Sequence, residues 1–231
     1  MYAIKWKESV AEAVRRIGRE QCDARLLEPV EPAAADADQP AFAFLDEVQR
    51  NARRGLSLLA VIGPSMDADA MRRERTAFRR VARLSQRVAT SPNRSSDILE
   101  INALLLEIRM RAGYWHLNAD DFAALRPGLI RVYGAARRKV QVAAAAGTCE
   151  KLDATRDALW AVSDAVKLVE RAWPELLKSE RKRVRGLMDL MDADEADSAA
   201  IWREAAAWMS ETPGRWCDRI GGYWTAWRGA H

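Results

Sequence analysis

The chain has 231 residues and a mass of 25.9 kDa; 49% of its residues are hydrophobic and 30% charged, with 12 Gly and 8 Pro. That length and apolar share suffice for a real core, and the composition excludes a disordered chain, a collagen-like repeat and a disulfide mini-scaffold. The net charge is +4, but residues 50–87 carry ten Arg against only Asp67, Asp69 and Glu74, and residues 126–185 carry fourteen Arg or Lys against seven acids.

Nearly every segment repeats its apolar residues at helical period, and no run alternates as a strand would. Leu45, Val48, Ala52, Leu59 and Ile62 share one side of a helix expected to start after Pro40 and stop near Gly63-Pro64. Asp67 is placed to cap the next helix, whose apolar side is Met71, Phe78, Val81, Ala82 and Val88. Arg72, Arg75, Arg79 and Arg83 form a basic stripe opposite. Pro92-Asn93 breaks that helix, and Ser95 or Ser96 is positioned to cap a helix from Asp97 to Arg111. A short helix near Asn118 to Leu125 is expected before a long one from Pro127 to Ala146, after which Gly147-Thr148 punctuates the chain. Leu152, Leu159, Val162, Val166 and Val169 form the following stripe, ending before Trp173-Pro174. Three further helices reach Met191, cover Asp197 to Ser210 and follow Pro213. The pattern predicts an all-helical chain of nine or ten helices.

The halves echo one another. The stretch Phe44 to Pro64 can be laid over Lys151 to Arg171, with Leu45-Asp46 and Leu152-Asp153 opening both stripes at the same phase. Each stripe helix precedes a basic one, Arg72–Arg87 and Lys178–Arg185, which together favour a duplicated helical bundle.

No apolar run approaches the roughly 20 residues a membrane span needs. The opening MYAIKWKESVAEAVRR has no apolar core with a small-residue cleavage site, so no signal peptide is expected. Cys22, Cys149 and Cys217 are odd in number and in no metal-ligand spacing, which fits a reducing, cytoplasmic setting. Nothing resembles a Gly-rich phosphate loop, a metal-ligand pair or a Cys/His constellation. Asp120-Asp121 and Asp192-Asp194 suit caps and turns better than acid–base chemistry, and His116 reads as structural or exposed. No enzyme, metal or cofactor is expected. Of the nine tryptophans, Trp202, Trp208, Trp216, Trp224 and Trp227 crowd the end of the chain and read as core filling with their N–H groups at the edge; Met188 and Met191 read as gap-fillers.

Three stretches, FAALRPGLIRVYGAARRKVQVA (Phe122 to Ala143), AWPELL (Ala172 to Leu177) and ETPGRWCDRIGGYWTAWR (Glu211 to Arg228), carry a resemblance over roughly residues 8–229 to the CHAD family, the conserved histidine α-helical domain. The resemblance implies one domain over residues 1–231, built of two antiparallel four-helix bundles related by a pseudo-twofold axis, with halves at about 8–112 and 119–229. It also implies a non-enzymatic role in binding inorganic polyphosphate along a basic groove, with association with polyphosphate granules. Where such domains carry histidines this chain reads Asp46, Asp153 and Glu195, and its two histidines, His116 and His231, match no family site. Of the family's basic runs, QRNARRG keeps Arg50, Arg53 and Arg54, while TRDALWAVSDAVK keeps Arg156 and Lys167.

Polyphosphate needs guanidinium and ammonium groups along a groove, with bidentate Arg forks the best donors. The candidates are Arg50, Arg53, Arg54, Arg72, Arg75, Arg79, Arg80, Arg83 and Arg87 in the first half. In the second they are Arg131, Arg137, Arg138, Lys139, Arg156, Lys178, Arg181, Lys182 and Arg185. A carboxylate where a histidine would donate removes a donor and adds repulsion, about 3 kcal/mol against one phosphate charge at ~5 Å and a dielectric near 20. Alternatively Asp46 pairs with Arg50 and Asp153 with Arg156, each pair contributing a few tenths of a kcal/mol. Weakened affinity for polyphosphate or a related polyanion is the expectation. The alternative is a divergent helical scaffold for protein–protein contact that has lost the anion, motivated by the acidic run Asp189 to Asp197 and the Trp-rich end. Nucleic acid is a weaker fit, since no recognition motif accompanies the basic stripe.

Overall fold

The computed structural model describes residues 2–23, 38–146, 152–172, 174–191 and 198–229. Among them every regular element is helical: α1 Val10–Glu20, α2 Asp38–Ile62, α3 Ala68–Arg87, α4 Arg94–Ala112, α5 Phe122–Ala146, α6 Leu152–Val169, α7 Pro174–Met191, α8 Ser198–Trp208 and α9 Pro213–Gly229. Short 3-10 turns cover Gly63–Ser65, Val88–Thr90 and Glu170–Ala172. Gly147, Thr148, Cys149, Trp173, Asp192, Asp194, Glu195, Asp197 and His231, on which the sequence places expectations, lie outside the described residues. So do the side chains of Leu152, Asp153, Met191 and Trp202. Among the described residues no helix is long and apolar enough to cross a membrane.

Prolines mark three of the helix starts. Pro174 and Pro213 take the first helical position, where the missing N–H has no partner to lose. Pro40 sits within the first turn of α2, so that helix begins three residues before the sequence expectation. Asp67 caps α3 as foreseen: its Oδ1 accepts from the N–H of Asp69 at 3.1 Å and of Ala70 at 2.8 Å. Ser95 and Ser96 do not cap α4. That helix starts at Arg94, the Asp97 N–H reaches back to the Asn93 carbonyl at 3.0 Å, and both serines are exposed in its first turn. Pro127 does not open a new helix either: α5 runs unbroken from Phe122 with Pro127 inside it. Burial of Ala124, Leu125 and Leu129 on one side holds the turn that the proline's missing donor weakens.

The chain divides into two compact units. The first takes residues from 11–59 and 66–118. Its core is assembled at helical spacing from Val14 and Ile17 of α1, Leu45, Val48, Ala52 and Leu59 of α2, Phe78, Val81 and Leu84 of α3, and Ile101, Leu105 and Ile108 of α4. Helices α2 and α3 approach closely at Gly55, where a Cβ would stand 2.4 Å from the Phe78 ring.

The second unit takes residues 2–10, 60–65 and 119–231. Helix α5 is its centre, packed by α6, α8 and α9, with α7 against α6. Tyr133 stacks on Trp216 (4.5 Å between centroids, 11° between planes) and meets Trp208 edge-on. Trp216 and Trp224 are buried and Trp208 and Trp227 half-buried, as core filling requires. The Trp216 Nε1–H donates to Glu180 at 3.2 Å, and Arg219 grips both Glu180 and Glu211 at 2.9 Å. The end of the unit is fastened by Arg228, which donates to the carbonyls of Trp6 and Glu8 and lies 4.9 and 5.0 Å over the rings of Trp224 and Trp227.

Candidate functional site

Helix α3 reads ADAMRRERTAFRRVARLSQR, and its apolar residues alone decide which way it faces. Phe78, Val81 and Leu84 turn inward, so the four arginines at spacing 3, 4 and 4 turn to solvent. Arg72 is tied to Asp69 one turn before it. Arg75, Arg79 and Arg83 are exposed, and none makes a hydrogen bond or ion pair with a described residue. From Arg72 to Arg83 the row spans about 16 Å at 1.5 Å per residue. The one acid within this stretch, Glu74, faces away: it is wholly buried and accepts from Arg111 Nε at 2.7 Å and Nη2 at 3.2 Å. The row Arg75, Arg79 and Arg83 therefore carries positive charge that no described residue neutralises.

The remaining α3 candidates serve a different purpose. Arg80 pairs with Glu100 and Arg87 with Asp97, both across to α4. The Arg87 guanidinium holds the Asp97 carboxyl below the usual carboxylate range, with the Ser91 hydroxyl assisting, and Asp97 in turn raises Arg87. These two arginines lace a helix pair together. Arg73, which the spacing argument passes over, is exposed on the flank of the same helix, with Nε 3.5 Å from Glu74.

On α2, Arg50 is exposed and Arg53 and Arg54 are half-buried, each engaged with other groups. Asp46, which stands where the resemblance leads one to expect a histidine, is exposed, and no ion pair joins it to Arg50. The neutralising pair that spacing suggested does not form. Asp153 occupies the second residue of α6, and Glu195 lies outside the described residues.

In the second unit the candidates fall into separate groups. Arg131 and Arg138 are exposed on α5 and Arg137 is half-buried. Lys139 donates to the Ala154 carbonyl at 2.9 Å, beside a shallow cavity of about 260 Å³ lined by Ala135, Arg138, Lys139, Val142, Ala154 and Thr155. Arg156 is half-buried and engaged. On α7, Lys178 and Lys182 are exposed, Arg185 lies 6.0 Å over the Trp160 ring, and Arg181 Nε stands 2.7 Å from Glu170. Arg181 and Lys139 thus act as internal ties, whereas Arg131, Arg138, Lys178 and Lys182 point to water.

His116 is exposed and lines a cavity of about 230 Å³ with Arg73, Arg111 and Trp115. Cys22 and Cys217 are buried, and burial pushes their thiols up to about 12 and about 11. Among the described residues no group of three or more His, Cys, Asp or Glu is arranged to hold a metal ion. No family model matches the chain, and no curated protein or solved structure is found that matches it.

Proposed function

We propose that the chain is a non-enzymatic binding module for a polyanion, with inorganic polyphosphate the ligand to which its resemblance to the CHAD family points. The observation that carries this reading is the row Arg75, Arg79 and Arg83: three exposed guanidinium groups on one helix face that no described residue neutralises. Uncompensated guanidinium groups in a row suit a linear string of phosphates, each a bidentate acceptor. The duplicated arrangement that goes with the resemblance, two four-helix bundles about a pseudo-twofold axis, belongs to the same proposal. On it, Arg131, Arg138, Lys178 and Lys182 of the second unit supply further contacts.

Asp46 on the first unit and Asp153 on the second keep affinity below that of a histidine-bearing module, because each withholds a donor and adds a negative charge. Calorimetric titration with long-chain polyphosphate at ~0.15 M salt, where exposed charges are already screened, tests the reading. Binding should weaken steeply with added salt and increase with chain length. Single Arg→Ala changes at Arg75, Arg79 or Arg83 should each weaken it about two- to fivefold, the span set by exposed ion pairs of up to about 1 kcal/mol. Affinity unchanged in Arg75→Glu/Arg79→Glu/Arg83→Glu would remove α3 from the site. A flat trace with the unaltered chain would sink the reading as a whole. A second reading, contact with another protein, is favoured by an apolar row that α4 leaves exposed.

A further inference from the structure

Helix α4 is apolar on two opposite faces. Ile101, Leu105, Ile108 and Ala112 are buried inside the first unit. On the other side Leu99 is 60% exposed, Leu106 50% and Met110 65%, and Tyr114 just beyond the helix end is 88% exposed. With the exposed Ala103, Leu99, Leu106 and Met110 fall at spacing 4, 3 and 4, which is the a/d seam of a coiled coil rather than a scatter of single surface residues, and Tyr114 flanks its end. Beside the seam a groove of about 470 Å³ is walled by Arg19, Leu106, Arg109, Met110, Gly113 and Tyr114. An apolar stripe of this kind on a helix already buried on its other side wants a second helix.

We propose that the occupant is α4 of a second copy of this chain, laid parallel to the first about a two-fold axis. The polar edges of the seam make the choice. Ser95, Asn102 and Arg109 lie along one edge, and Glu100, Glu107 and Tyr114 along the other. In a parallel pair each residue of the first edge faces the residue five further on in the partner helix. Ser95 then meets Glu100 of the second copy, Asn102 meets Glu107, and Arg109, whose Nη1 pairs with Asp23 of its own chain at 3.0 Å, meets the Tyr114 ring and hydroxyl with its remaining donors: donors opposite acceptors throughout. An antiparallel pair brings like edges together and sets Glu100 and Glu107 against the same two acids of the second copy, which repel. Glu100 and Glu107 are oriented by Arg80 and Arg111 of their own chain and keep lone pairs for the hydroxyl and amide opposite. Symmetry doubles each contact, as an isologous interface does.

A seam of about two heptads buries less than the roughly 800 Å² per partner of a standard interface, so the dimer is reversible and populated at high micromolar concentration. Sedimentation velocity of the full chain, from low to high micromolar concentration, should show a monomer–dimer equilibrium. Leu106→Glu and Met110→Glu should each leave a monomer throughout, with helical content and thermal midpoint unchanged because both side chains are exposed. Orientation is read by Met110→Cys in a Cys149→Ser background: residue 110 faces itself across a parallel seam, so oxidation should give a disulfide-linked dimer. A chain that stays monomeric at every concentration overturns the proposal, whether or not another protein co-purifies with it. A dimer that survives Leu106→Glu does so too. Cross-linking found only between Leu99→Cys and Met110→Cys chains overturns the parallel arrangement. None of these outcomes depends on anion binding.

Discussion

Glu74 and Arg111 illustrate how a charge inside the first unit is tolerated. Glu74 has no exposed surface, and the two-pronged grip of Arg111, with Arg73 Nε a further 3.5 Å contact, offsets its desolvation. That grip raises Arg111 above its ordinary value, and Glu107 adds to it. Arg111→Met should therefore cost about 3 kcal/mol, the lower end of the range for breaking a buried pair, because Arg111 itself keeps partial exposure. Urea unfolding measures it, and Glu74→Gln in the same chain should recover part of the loss, since the two sites are coupled. Asp97 gives a pH-dependent counterpart. Its folded-state value lies below that of an unfolded aspartate, so its contribution is fully present above about pH 4 and lost as pH falls through the folded value. Asp97→Asn should accordingly be less stable than the parent at neutral pH. The two unfolding midpoints should converge on acidification, and a gap that persists below the folded value would mean the carboxylate acts through packing alone.

Helix α5 shows where pattern reading succeeds and where it stops. Its buried residues Leu125, Leu129, Val132, Ala136 and Val140 follow from spacing, because a 3.6-residue period is written in the sequence itself. Its start does not, because Pro127 is a local stop signal that tertiary packing overrides. The reason is visible at Gly128. A Cβ there would stand 1.7 Å from the carbonyl oxygen of Val61, so the end of α2 packs backbone to backbone on α5, and Ser65 Oγ adds a bond to the Ala124 carbonyl at 2.8 Å. No neighbour spacing announces such a crossing of residues far apart in the chain. Gly128→Ala should destabilise the chain by about 3 kcal/mol, at the upper end for overpacking, since a backbone atom cannot move aside as a side chain can. Gly222→Ala, on α9 with nothing near its added methyl, is the control and should stay within about 0.5 kcal/mol or gain slightly. Thermal unfolding of the two variants separates them; equal midpoints would mean that α5 can shift on α2.

For the molecule as a whole, a net charge of only +4 understates what it offers an anion, because acids and arginines are sorted by burial and pairing. Sequence shows the stripe Arg72 to Arg83, since its inward neighbours are apolar at fixed phase. It does not show that Arg80 and Arg87 are consumed by Glu100 and Asp97, because those partners lie on another helix and only the packed unit brings them together. The same holds for Arg181 with Glu170 and for Lys139 on the Ala154 carbonyl, so a list of eighteen candidate cations contracts to a few exposed rows. The row on α3 and the seam on α4 belong to one unit, and this gives the two proposals a joint consequence. A dimer paired through α4 carries two copies of the α3 row, and a polyphosphate long enough to reach both converts its second attachment into an intramolecular step. With an effective concentration near the millimolar range, long chains should bind the dimer at least about tenfold more tightly than they bind a monomer, whereas chains too short to bridge should not distinguish them. Titrating long and short polyphosphate into the parent chain and into Leu106→Glu measures this directly, at a protein concentration where the parent is dimeric. A chain-length preference that is the same in both would show that each α3 row works alone; a preference confined to the parent would show that the seam sets the avidity of the anion site.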